Sequence, residues 1–156
     1  MENLFTKNDS EENLKYEFFD VTADVGFKAY GDTIDVAFSN AAIAMFEVIT
    51  DTSKVEHRII KKIVIEAEDE CSTLYEWLSE LLFLHDSENL VFSKFNVKLY
   101  RKLKNETKIF YLEALAFGEE FNPEVHEKRS EVKAVTYHMM EVNVEDTCEL
   151  QVILDI

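Results

Sequence analysis

Two stretches of the chain concentrate carboxylates where they could do chemistry. The first is Tyr16-Glu17-Phe18-Phe19-Asp20-Val21-Thr22-Ala23-Asp24-Val25-Gly26. Its aromatics suit a pleated, half-buried strand. It then meets Asp20 and Asp24, four residues apart, and a glycine, before Phe27-Lys28-Ala29-Tyr30 alternates again. The pattern predicts a hairpin over about 15–31, with Asp24 in a short loop between its strands. A carboxylate on a loop fixed by rigid elements is well placed to bind or catalyse. The plainer reading is that Asp20 and Asp24 cap turns. The second stretch is Gln151-Val152-Ile153-Leu154-Asp155-Ile156. As a strand it puts Val152, Leu154 and Ile156 on one face, Ile153 and Asp155 on the other. Ordered to its last residue, it holds a terminal carboxylate at Ile156 beside the Asp155 side chain. Two such groups need a counter-charge. A hard cation such as Ca²⁺ or Mg²⁺ takes carboxylates and carbonyls as ligands. A lysine could serve instead, and Lys133 is the candidate if its strand is adjacent.

Other chemistries find less support. His57, His126 and His138 are scattered, and none adjoins a Ser or Cys at the spacing of a nucleophile and its base. A metal-dependent hydrolase using the same carboxylates is therefore the weaker alternative. Cys71 and Cys148 lie far apart with no zinc-site spacing, which predicts two free thiols. Gly26, Gly31 and Gly118 cannot write a glycine-rich phosphate loop. Acids outnumber bases 32 to 16, for a net charge of −16. That argues against tight, direct nucleic-acid binding, which relies on clustered Lys and Arg. The one approach to a basic stripe is Lys94, Lys98, Arg101, Lys102 and Lys104. An acidic body suits a basic partner, steered by opposite fields. No signal peptide opens the chain and no apolar run reaches membrane-spanning length. The expectation is a soluble, reduced, cytoplasmic protein with no membrane association; its oligomeric state is left open.

The elements that must position these groups follow from periodicity. Residues 1–13 are polar and acidic and read as a disordered N-terminal tail; 14–156 reads as a single domain. Asp32 or Thr33 can cap a helix from Ile34 to about Ile49, its apolar stripe including Ile34, Phe38, Ala41, Ala42, Met45 and Ile49. Asp35, Ser39, Asn40 and Glu47 are expected to face out. A strand at about 58–68 alternates with one buried face. Ser72 can cap a second helix from Thr73 to about His85, with Trp77 and Tyr75 in or near the core and His85 at the helix terminus. Strands follow around Phe95–Leu99 and over Ile109–Phe117, the latter apolar enough for a central position. A charged loop runs from Gly118 to about Arg129. Two last strands span about 131–144 and 147–156. The order predicts an α+β fold: a two-layer domain with two helices packed on one face of a mixed, mostly antiparallel β-sheet.

Four stretches together resemble the archease family. They are Tyr16 to Gly26 as quoted above, Leu74-Tyr75-Glu76-Trp77-Leu78-Ser79-Glu80-Leu81-Leu82-Phe83, Glu131-Val132-Lys133-Ala134-Val135-Thr136-Tyr137-His138, and the ending Gln151 to Ile156. The resemblance covers about residue 14 to the end. One departure matters: the family usually reads His-Thr-Ala-Asp where this chain has Val21-Thr22-Ala23-Asp24. The resemblance implies a non-catalytic helper of an RtcB-type RNA ligase in tRNA splicing, promoting ligase guanylylation and multiple turnover. An alternative it also implies is a chaperone or specificity factor for another tRNA-modifying enzyme, such as a tRNA methyltransferase. It implies metal ligands at Asp24, Asp155 and Ile156, the last through main-chain or terminal oxygen. The metal would be Ca²⁺, with Mg²⁺ or Mn²⁺ as alternatives. Lys133 matches a lysine of a motif implicated in activity; a salt bridge to a nearby carboxylate would be its plainer role.

Overall fold

A computed structural model describes residues 14–156. The expected N-terminal tail lies outside the described residues. In chain order the elements are β1 (Tyr16–Val21), β2 (Asp24–Gly31), α1 (Ile34–Ile49), β3 (Ile59–Ala67), α2 (Glu70–Glu88), β4 (Leu90–Lys104), β5 (Thr107–Glu120), β6 (Ala134–Asn143) and β7 (Cys148–Asp155). A short 3₁₀ turn, Thr52–Lys54, follows α1.

The α+β class holds, but the single sheet does not. The strands form a four-stranded sheet, β1-β2-β7-β6, and a separate three-stranded sheet, β3-β5-β4. Every pairing is antiparallel rather than mixed. The helices are not on one face of one sheet but between two sheets: α1 packs on β2 and β7 from one side and on β4 from the other, and α2 packs on β6 and on β3. Periodicity reports which residues form strands and says nothing of which distant strands pair, which is why one sheet was the simpler expectation.

The sandwich explains the composition of α1. Thr33 caps it, its hydroxyl accepting from the Val36 N–H at 3.3 Å. Ala37, Ala41, Ala42 and Ala44 are fully buried, thin enough for the helix to sit against two sheets at once. Three polar residues expected to face solvent turn onto those sheets instead. Asn40 is buried and its Nδ2 donates to Tyr30 O at 2.7 Å. Ser39 Oγ donates to Phe95 O at 3.1 Å, and Asp35 Oδ1 accepts from the Leu99 N–H at 2.9 Å. Each satisfies a backbone group that burial would otherwise leave costly.

Helix α2 begins earlier than Ser72 alone suggests. Asp69 is the cap, accepting from the Ser72 N–H at 2.8 Å, while Ser72 Oγ accepts from the Asp69 N–H at 3.2 Å. The pair is a capping box with serine in place of the usual Glu. Asn89 ends the helix in the left-handed region, φ 59°. Trp77 is completely buried, and its Nε1–H donates across to Phe38 O of α1 at 3.0 Å.

β5 takes the central place expected of it. It is joined to β4 by a two-residue turn, Asn105 and Glu106, with φ 52° and 71°. Two consecutive positive φ values are the mark of the turn whose twist matches a hairpin. β5 runs on past Gly118 to Glu120, so the charged loop starts later than expected. At Gly118 a Cβ would lie 1.9 Å from Val91 O. The missing side chain admits the bulge at Ser93, where the β4 register shifts.

Candidate functional site

The hairpin β1–β2 turns on Thr22 and Ala23, so Asp24 is the first residue of β2 rather than a loop residue. Ala23 has φ 66°, a left-handed conformation that an L-residue with a Cβ adopts at a cost of about 1–2 kcal/mol. Directly across the next ladder, Asp24 faces Asp155 of β7. Asp155 in turn faces Ala134 of β6, and its carbonyl accepts from the Lys133 N–H at 2.7 Å. Ile156 follows at once, its side chain packed against the core.

The structure thus brings Asp24, Asp155, Ile156 and the Lys133 backbone to one end of the four-stranded sheet. Residues directly opposite in an antiparallel pair project to the same face. Val21, Asp24, Asp155 and Ala134 therefore form one row on the face turned away from the helices. Val21, which stands where the resemblance leads one to expect a histidine, is thus the immediate neighbour of Asp24. Asp20 pairs with Val25 and so projects to the other face; it does not join the row.

The electrostatics of the row are lopsided. Two like charges stand opposite one another, an arrangement that destabilises a sheet. Among the described residues no Lys, Arg or His forms an ion pair within 4.0 Å of either carboxylate, and Lys133 pairs with no carboxylate. The donor set is two half-buried carboxylates and the adjoining main-chain oxygens, all hard ligands of the kind Ca²⁺ and Mg²⁺ accept. No group of three or more His, Cys, Asp or Glu gathers among the described residues. A cation held here would rely on two side chains, with main-chain oxygen and water completing its shell.

Elsewhere, distant residues meet that spacing did not reveal. His57 Nε2 lies 3.0 Å from Ser93 Oγ, 36 residues on. Ser93 donates its own hydrogen to Val55 O at 2.9 Å, so the imidazole is the donor and not a base toward the serine. His126 is buried; its Nδ1 accepts from the Asn122 N–H and its Nε2 donates to Glu119 at 2.8 Å. Glu119 also accepts from the Glu56 N–H at 2.8 Å and from Arg58 at 3.1 Å. Burial raises the pKa of that carboxyl, but the hydrogen bonds from Glu56, His126 and Arg58 outweigh it and hold the group below the usual glutamate value. This network clamps the 121–126 loop. His138 is exposed on β6.

Both cysteines are free. Burial, with Glu70 nearby, pushes the Cys148 thiol up to about 11. Burial and then Asp69 and Glu70 raise Cys71. Neither is set up as a thiolate nucleophile at neutral pH. Among the described residues no helix is long and apolar enough to cross a membrane.

A model of the Archease protein family matches residues 16–156. Protein archease of Methanothermobacter thermautotrophicus is 53% identical over 142 residues, 90% of this chain and 98% of its own. Protein archease of Sulfolobus acidocaldarius is 46% identical over 143 residues, 91% of this chain and 99% of its own. The solution structure of Methanobacterium thermoautotrophicum Protein 1598 matches with a TM-score of 0.75 at 47% identity, covering 91% of this chain and 99% of that one.

Proposed function

The chain belongs to the archease family, and from that premise we propose that it is a non-catalytic, metal-carrying activator of an RtcB-type RNA ligase. It promotes guanylylation of the ligase and its repeated turnover in tRNA splicing. The observation that carries this reading is the Asp24–Asp155 pair, joined across a ladder with no counter-cation among the described residues. A divalent cation, Ca²⁺ first and Mg²⁺ or Mn²⁺ as alternatives, would supply positive charge there and a bridge to oxygen ligands of a partner. Asp24 and Asp155 would hold it by their carboxylates and Ile156 by main-chain or terminal oxygen. The Lys133 N–H, bonded to the Asp155 carbonyl, fixes the strand end that presents these groups. The exposed Lys133 ammonium is free to meet a partner's acidic group or phosphate. In this reading the protein's own part is to orient oxygens; the His57–Ser93 contact among the described residues has its hydroxyl hydrogen committed to Val55 O.

The test is a guanylylation and multiple-turnover ligation assay with the ligase, GTP, metal and this protein. Wild type is expected to stimulate. Asp24→Ala and Asp155→Ala, checked for folding by circular dichroism, are expected to lose stimulation. Folded variants that still stimulate would remove the metal site from the mechanism, and a wild type with no effect on the ligase would overturn the activator reading.

A further inference from the structure

The three-stranded sheet has an outer face that does not match the rest of the molecule. Register fixes its members: Lys94, Lys98, Tyr100, Lys102 and Lys104 of β4 share a face with Phe117, Leu115, Glu113 and Tyr111 of β5. From β3 the same face takes Ile60, Lys62, Val64 and Glu66. Arg101, part of the apparent stripe in the sequence, pairs with Phe110 and projects to the other side. Five lysines against two glutamates thus gather on one face of a chain whose net charge is −16. Beside them lies open aliphatic surface: Ile60 and Val64 are each 58% exposed and Leu115 is 37% exposed.

We propose that this face docks a protein segment with an apolar centre flanked by Asp and Glu. Apolar surface bordered by a surplus of basic charge fits a protein interface, with the surplus lysines steering an acidic partner. Edge protection explains lysines on β4, an edge strand, but not Ile60 and Val64 on the opposite edge, where exposed aliphatics invite association. Single-stranded nucleic acid fits less well. It needs open aromatic faces on which bases stack. Here Tyr100 and Tyr111 stack on each other at 5.6 Å, with Lys102 Nζ 5.0 Å from the Tyr111 centroid, and Lys94 Nζ lies 5.0 Å over Phe117. The open surface is aliphatic. Because the helices lie between the two sheets, this face points away from Asp24 and Asp155. Its occupant can therefore bind while the carboxylate row is engaged.

The probe is a fluorescein-labelled peptide alternating Glu and Leu, titrated by anisotropy. A Lys/Leu peptide, an oligoglutamate and an oligouridylate serve as comparators. The Glu/Leu peptide is expected to bind best, and its affinity to fall with added salt. Lys62→Glu with Lys98→Glu is expected to weaken binding at least tenfold, as is Ile60→Ser with Val64→Ser. The milder Lys62→Gln with Lys98→Gln should give an intermediate loss and covers misfolding of the charge reversal. No binding of the Glu/Leu peptide, or equal binding by the folded variants, would overturn the proposal. Tighter binding of oligouridylate would replace it with an RNA surface. Concentration-dependent dimerisation abolished by the same substitutions would replace it with self-association.

Discussion

Replacing Asp24 by Asn should stabilise the protein without metal and destabilise it, relative to wild type, with metal. The two carboxylates face each other across the β2–β7 ladder. Cross-strand partners have Cβ atoms about 4.5–5.5 Å apart, and a like-charge pair costs about 0.2–1 kcal/mol. Coulomb's law gives about 0.8 kcal/mol at about 5 Å in a water-like dielectric, and salt reduces it further. In chelator, Asp24→Asn removes that repulsion. For a domain of this size each kcal/mol moves Tm by about 2–4 °C, so the variant should melt about 0.5–4 °C above wild type. A free cation at tenfold its Kd adds about 1.4 kcal/mol to any protein that binds it only when folded. Wild type should then rise by about 3–6 °C while Asp24→Asn hardly moves, and the order of the two melting curves reverses. Differential scanning calorimetry in chelator and in excess Ca²⁺, Mg²⁺ or Mn²⁺ reads this directly. A wild type indifferent to all three cations, or a variant that melts lower in chelator, would refute the reasoning.

Two further substitutions test features around the frame. Ala23→Gly removes the Cβ cost at φ 66° and should raise unfolding free energy by about 1 kcal/mol in urea titration; a loss of stability would mean the methyl group packs usefully. Glu119→Gln should cost about 1–3 kcal/mol at neutral pH, where three donors meet the carboxylate. Its folded-state pKa is depressed, so its contribution is complete above the ordinary value of 4.5 and is lost as pH falls through the lower folded value. The gap between Glu119→Gln and wild type should therefore close in acid, and a gap that stays constant with pH would show that the charge is not what stabilises.

What the sequence disclosed was local. The α1 limits were legible because Thr33 caps and apolar residues recur from Ile34 to Ile49. The central place of β5 was legible because Ile109 to Phe117 is apolar on both faces. What stayed hidden was pairing between distant segments. Asp24 and Asp155 could each be singled out as oxygen donors, yet nothing in their spacing, 131 residues apart by their numbers, says that they face one another. The second sheet was hidden for the same reason. So was the inward turn of Asn40, since a polar residue on a helix reads as exposed until a second sheet covers it. The His126–Glu119 clamp forms only because the chain after β5 folds back, which no periodicity records.

The position of β7 bears on how the molecule is made. It is the last strand in the chain, yet it lies in the interior of its sheet, between β2 and β6. During synthesis from the N-terminus, β2 and β6 emerge and wait with bare edges until residues 148–155 arrive. Those edges are the kind that recruit other chains, and closure over so long a sequence separation is intrinsically slow. A product stopped short of Cys148 would keep both edges open and lack Asp155. Assembly of the carboxylate row therefore requires residues 148–155, and any activity that depends on it reports a chain made and folded through β7.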